Sequence, residues 1–173
     1  MPLIFQYGSN CDTSEINNPE RLDGRATDLG RARTTEEFEF AFTKWSLNRN
    51  CAAVDIVGPA KGRQHIWGVL LEISGNDLVK LAEVIEGPSY EPLEVRVEDA
   101  SGKIKAATTF VVKRDRRRKG LWTSAEYVRH IVSGLRSHGV PEDHVQYVIA
   151  TAIETNEHAE ANAAEQIREI KTL

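Results

Sequence analysis

Leu3-Ile4-Phe5-Gln6-Tyr7-Gly8-Ser9-Asn10 is an apolar, β-prone run cut off by a turn tripeptide, and it reads as a short buried strand entering a tight loop. Downstream, Asp12-Thr13-Ser14-Glu15 has the form of a helix cap followed by one or two turns. Asn17-Asn18-Pro19 and Asp23-Gly24 then break the chain into loop before the next regular element. Between Ala32 and Phe42 the residues Phe38, Phe40 and Phe42 alternate at period two, which predicts a strand with all three on one face. Residues 52–57 and 65–73 read as further strands, the first stopped by Gly58-Pro59. Leu78, Leu81 and Ile85 fall at helical spacing, so residues 77–85 predict a short helix, with Ser74 to Asp77 as its cap and Glu86-Gly87-Pro88 as its stop. Residues 93–97 and 104–112, joined by 99–103, predict a β-hairpin. Ser124 caps a helix to about Ser137 with a stripe of Tyr127, Val128, Ile131 and Leu135, ended by Gly139 and Pro141. Residues 142–155 and 157–170 read as two more helices. Strands first and helices last, without βαβ alternation, give an α+β class.

The chain has 173 residues, of which 40% are hydrophobic and 28% charged, enough for one domain with a real core. Its longest apolar runs are too short to span a bilayer. The first residues lack the basic region of a signal peptide, and two cysteines make no disulfide framework, so the expectation is a soluble, cytoplasmic protein. Twenty-two basic against 26 acidic residues give a net charge of −4, which argues against nucleic acid as a partner. The basic segment 113–119 has no interleaved aromatic residue to stack a base and reads as a solvated loop.

No phosphate loop, nucleophile elbow or His-Glu-x-x-His zinc motif occurs, and the five histidines lack metal-ligand spacing, so neither a metal nor a cofactor is expected. Two places carry chemistry. In Tyr7-Gly8-Ser9-Asn10, glycine opens backbone angles and close ligand approach, and successive turn amides make a concave donor site for an oxyanion or carboxylate. Glu86, between Ile85 and Gly87-Pro88, sits where partial burial disfavours its charged form and suits proton transfer near neutrality.

The order Tyr-Gly-Ser-Asn after the first strand, Ala52 to Pro59, Ile66 to Ile73, then Glu86-Gly87 with Tyr90 after it, resembles the γ-glutamylcyclotransferase-like family over about residues 3–150. The resemblance implies a small closed mixed β-barrel flanked by helices, with a helical C-terminal part. It places the domain at 1–155, with a surface or dimerising helix at 156–173. It implies intramolecular aminolysis, in which the α-amine of a γ-glutamyl amino acid or amine attacks its own γ-carbonyl and releases 5-oxoproline. Glu86 would be the general acid/base, with Tyr7, Gly8, Ser9, Asn10, Tyr90 and Tyr127 binding the substrate. Monomer and homodimer remain open, as does the leaving amine; Trp45, Trp122 and Arg49 are candidates to line its pocket. Ala82 stands where the family commonly has aspartate, and Cys11 follows the motif where a large apolar residue is common. Two other readings stay beside the enzyme: a non-catalytic binding or regulatory module on the same fold, and Cys11 as a thiol nucleophile activated at a helix start.

Overall fold

A computed structural model describes every residue from Met1 to Leu173. Its strands are β1 (Leu3–Gln6), β2 (Thr27–Ser46), β3 (Cys51–Val57), β4 (Gln64–Glu72), β5 (Tyr90–Asp99) and β6 (Ile104–Val112). They lie in the order β3-β2-β4-β1-β6-β5, and β2 pairs back onto β5 through Ala32, Arg33 and Thr34, so five strands close into a barrel. β1 runs antiparallel to β4 and parallel to β6, which makes the barrel mixed. Closure leaves few free edges to template aggregation.

β2 is much longer than the strand expected at 32–42, with 20 residues. Its first half pairs with β4 and β5, and its second half leaves the barrel to pair with β3. Register shifts between Arg33 and Glu37 and between Phe42 and Lys44 let it bend from one partner to the next. Phe38, Phe40 and Phe42 turn to one buried face, as their alternation predicts. Phe40 meets Phe42 and Tyr7 edge-on, the arrangement that aromatic quadrupoles favour.

Five helices cover the barrel. Asp12 caps α1 (Thr13–Ile16) by accepting from the Ser14 N–H, and Ser74 caps α2 (Gly75–Lys80) by accepting from the Asp77 N–H. Ser124 caps α3 (Ala125–Ser137) through the Tyr127 N–H, and the stripe Tyr127, Val128, Ile131, Leu135 is buried. Gly134 lets α3 lie directly on the early loop, because a Cβ there would stand 2.3 Å from the Asp12 nitrogen and the Cys11 carbonyl carbon. α4 spans Glu142–Glu157 and α5 Ala164–Ile170. The helix expected over 157–170 therefore forms only in its second half, and Asn156 belongs to α4. The Asn156 carboxamide brackets Thr123, accepting from its N–H at 2.7 Å and donating to its carbonyl at 2.9 Å. Gln166 accepts from the Ala125 N–H and Ile170 is fully buried, so α5 is docked on its own chain. No helix is long and apolar enough to cross a membrane.

The basic segment is pinned as well as solvated, which corrects the sequence reading. Arg117 Nε donates at 2.7 Å to Asp55, a completely buried carboxylate on β3. Asp55 also accepts from Thr43 Oγ1 and from the Val112 N–H, and the Arg118 N–H donates to the Thr43 carbonyl. One buried anion thus ties β2, β3, β6 and the loop after β6 together.

Candidate functional site

After β1 the chain turns through Gly8 into a single 3-10 turn, Ser9–Cys11. Gly8 has φ −110°, so no positive φ demands glycine here. Space fixes it: a Cβ at this position would lie 2.6 Å from Val54 Cγ2. The N–H groups of Gly8, Ser9 and Asn10 donate to no acceptor of the protein. Three consecutive free donors are what an anion-binding turn requires. Their side chains are held from outside, Asn10 Oδ1 accepting from Arg21 at 2.7 Å and Ser9 Oγ lying 3.4 Å from Arg49.

Glu86 reaches the same place by a different route. α2 does not continue as an α-helix but widens at Leu81–Glu86 into a π-type turn, sealed by the Gly87 N–H donating five residues back to the Ala82 carbonyl. With about one extra residue per turn, Glu86 swings towards the side on which Leu81 is fully buried. A regular helix would favour Ile85 there.

Two adjoining hollows result. An inner chamber of about 60 Å³ is lined by Gln6, Tyr7, Gly8, Val54 and Phe110, and an outer cleft of about 320 Å³ by Arg21, Lys44 and Arg49. Ser9, Asn10, Glu86, Tyr90 and Tyr127 border both. Glu86 and the expected substrate-binding residues Tyr7, Gly8, Ser9, Asn10, Tyr90 and Tyr127 therefore border one or both hollows. Trp45 and Trp122 do not; they pack edge-on against each other at 5.6 Å. Arg49 does, while its guanidinium pairs with Glu15 at 2.7 Å and lies over the Tyr127 ring.

The three tyrosines turn their hydroxyls to main chain. Tyr7 donates to the Phe110 carbonyl at 2.6 Å and Tyr90 to the Val54 carbonyl at 3.2 Å, while Tyr127 accepts from the Val54 N–H at 3.1 Å. Val54 is thus held from both sides, fixing the wall opposite Gly8. Burial pushes all three phenols above their ordinary value, so they stay protonated and neutral.

Glu86 retains some surface at the cleft, yet its carboxyl is enclosed by protein. Desolvation pushes it up to about 7, against smaller opposing pulls from Gln6 and Arg21. Cys11 is fully buried, its Sγ donates to the Gln6 carbonyl at 3.1 Å, and burial raises the thiol, which removes the nucleophile reading. Asp12, Glu15 and His130 bring ligand atoms within 4.8 Å of one another, but Glu15 is already engaged by Arg49 and Asp12 caps α1.

The sequence reading missed Gln6, Arg21 and Lys44. Gln6 is the last residue of a buried strand, and a single polar residue there carries no local signal. Arg21 and Lys44 sit in polar stretches where charge is ordinary.

Comparison with known proteins fits this geometry. The AIG2-like family profile matches residues 65–148. Among solved structures, a γ-glutamyl cyclotransferase superposes with TM-score 0.74 at 24% identity, covering 99% of both chains. The chain has the γ-glutamylcyclotransferase-like fold. An uncharacterised human protein superposes with TM-score 0.73 at 24% identity, covering 98% of this chain and 97% of that one. A yeast γ-glutamyl cyclotransferase specific to glutathione superposes with TM-score 0.61 at 12% identity, covering 92% and 97%. At these identities the likeness to solved structures is one of fold. No curated protein matches this chain.

Proposed function

We propose that this protein cyclises γ-glutamyl compounds, releasing 5-oxoproline and an amine-bearing product. The carrying observation is that a carboxyl pushed up to about 7 and a turn with three unaccepted N–H groups border the same chamber. The nucleophile is tethered to its target, so proximity supplies much of the rate and no covalent enzyme intermediate is needed.

Ionised Glu86 takes a proton from the substrate α-ammonium. The freed amine attacks the γ-carbonyl carbon, forming the ring C–N bond and an oxyanion. Collapse of the oxyanion breaks the bond to the leaving nitrogen, which receives its proton from Glu86. Two protons pass in all from the attacking to the departing nitrogen, and Glu86 ends as it began. The amides of Gly8, Ser9 and Asn10 hold anionic oxygen of the γ-glutamyl group. A group poised near 7 exchanges protons in both directions at neutral pH, which favours this shuttle.

The outer cleft supports a γ-glutamyl amino acid over a γ-glutamyl amine. Arg21, Lys44 and Arg49 line it, and Glu86 is its only acid. Arg49 is neutralised by Glu15, whereas Arg21 and Lys44 bond only to neutral oxygens of Asn10 and Trp45. Lys44, with no acid bonded to it, and Arg21, offset only at a distance by Glu86, favour a leaving group that carries a carboxylate.

The test is 5-oxoproline release across matched γ-glutamyl amino acids and amines. Turnover with kcat/KM at least about tenfold higher for the amino acids is expected, since a charge contact worth roughly 1.4 kcal/mol is a factor of ten. No release from any member overturns the cyclotransferase and leaves a binding module. The pH profile is a separate prediction. Because the ionised carboxylate starts the reaction, kcat/KM should rise about tenfold per pH unit below 7 and level above it. A profile falling through that range would assign the working form to the acid instead.

A further inference from the structure

Gln6 gives the inner chamber a buried amide donor that the protein leaves unpaired. The residue closes β1, is only 7% exposed, and its Nε2 has no hydrogen-bond partner. Its neighbours along the strand, Ile4 and Phe5, are fully buried and apolar, so a carboxamide here works against the local pattern. A buried donor left unpaired costs the desolvation of that amide, and such a group calls for an explanation. The chamber it borders is small, polar at Glu86 and Asn10, and adjoins the outer cleft through the lining residues that the two share.

We infer that Gln6 Nε2 is the donor for the γ-carbonyl oxygen of the substrate, stabilising that oxygen as it becomes an oxyanion beside Glu86. This rests on the cyclotransferase reading of the site. Three observations favour this oxygen over the substrate carboxylate. Gln6 borders the chamber with Glu86 and pulls its carboxyl downwards through a hydrogen-bonding contact too loose to satisfy Nε2. Glu86 holds the attacking nitrogen, and once the C–N bond forms the carbonyl oxygen is only two bonds from that nitrogen. A full carboxylate in the same position would face ionised Glu86 across a desolvated space, whereas the turn amides at Gly8 to Asn10 offer an anion site free of that repulsion. A donor that the protein leaves unpaired and that becomes paired as charge develops is preorganised for the transition state.

The experiment compares wild type with Gln6→Leu and Gln6→Glu, following 5-oxoproline release against pH and 5-oxoproline binding by calorimetry. Both variants are close in volume to glutamine, and a thermal melt of each establishes folding. The expected result is a kcat lower by about 10²-fold or more in both, with KM changed by less than about fivefold, as for loss of one oxyanion donor. Full plateau activity in folded Gln6→Leu overturns the assignment, including the case in which only the pH midpoint moves, which would make Gln6 a tuner of Glu86. Wild type that binds 5-oxoproline without turning over any γ-glutamyl compound overturns the cyclotransferase reading, and loss of that binding in Gln6→Leu still supports a ligand-facing donor. Wild type that neither binds nor turns over overturns both.

Discussion

Glu86→Gln is expected to lower 5-oxoproline release by about 10²–10⁴-fold while leaving the fold intact, the range associated with loss of a positioned acid/base. Glutamine matches glutamate in shape, so the π-type turn and the chamber walls persist, but no proton can be taken up or returned. The same substitution should raise stability in alkaline solution. Burial raises the folded carboxyl to about 7 from an ordinary 4.5, so the native state holds its proton more tightly than the unfolded chain. Its contribution is fully present below about pH 4.5 and is lost as pH rises through 7. Above that, wild type carries the strain of a desolvated anion, on the order of 1–3 kcal/mol, which the variant lacks. His144 has the opposite slope. Burial lowers it to about 4, so its contribution is complete above about 6.5 and is lost as pH falls towards 4. Subtracting melts of Glu86→Gln from wild type at each pH cancels the histidine and isolates Glu86. Equal turnover in the two proteins would remove Glu86 from the chemistry, and a pH-independent difference in melting would show its carboxyl to be hydrated.

Asp55→Ala is expected to cost about 3–5 kcal/mol, the penalty of breaking a buried charge pair by removing one partner. Asp55 is wholly buried and takes the Arg117 guanidinium, the Thr43 hydroxyl and the Val112 N–H, so its loss orphans a donor from each of three segments. For a chain of this size, that predicts a melting temperature lower by roughly 10 °C. Asp55→Asn should fall between, since its single amide oxygen can still accept from the Val112 N–H, whereas its NH2 replaces the oxygen that took Thr43 and Arg117. Thermal unfolding with far-UV circular dichroism measures both. A melting temperature for Asp55→Ala within about 2 °C of wild type would mean that this anchor does not hold the second half of β2 against β3 and β6. Activity is expected to fall with stability, because Val54, the wall facing Gly8, is the residue next to Asp55.

Local signals were strong where side chains act on their own backbone. Ser124 and Asp12 announced α3 and α1 because a hydroxyl or carboxylate two or three residues ahead satisfies free N–H groups wherever the helix ends up. The alternation at Phe38, Phe40 and Phe42 announced the inward face of β2 for the same kind of reason, since period two is intrinsic to a strand. The length of β2 was not announced. Three register shifts and a change of partner arise from pairing with β4, β5 and β3, partners set by the closed sheet rather than by local sequence. The helix expected at 157–170 failed over its first half because an Ala- and Glu-rich composition favours helix everywhere, while the chain at 158–163 has to turn back towards Thr123 and α3.

Taken alone, the amino-acid order established an α+β chain with a glycine turn after its first strand and a glutamate at a helix stop, because turn chemistry, capping and periodicity are local. That these two meet across one hollow was decided by the barrel. Closure of β2 onto β5, the close approach of Val54 to Gly8 and the widening of the helix at Leu81–Glu86 bring them to a shared chamber. The unpaired amide of Gln6 and the cationic lining of the outer cleft likewise exist only in three dimensions. Burial and pairing are properties of neighbours, and most of these neighbours are dozens of residues apart along the chain.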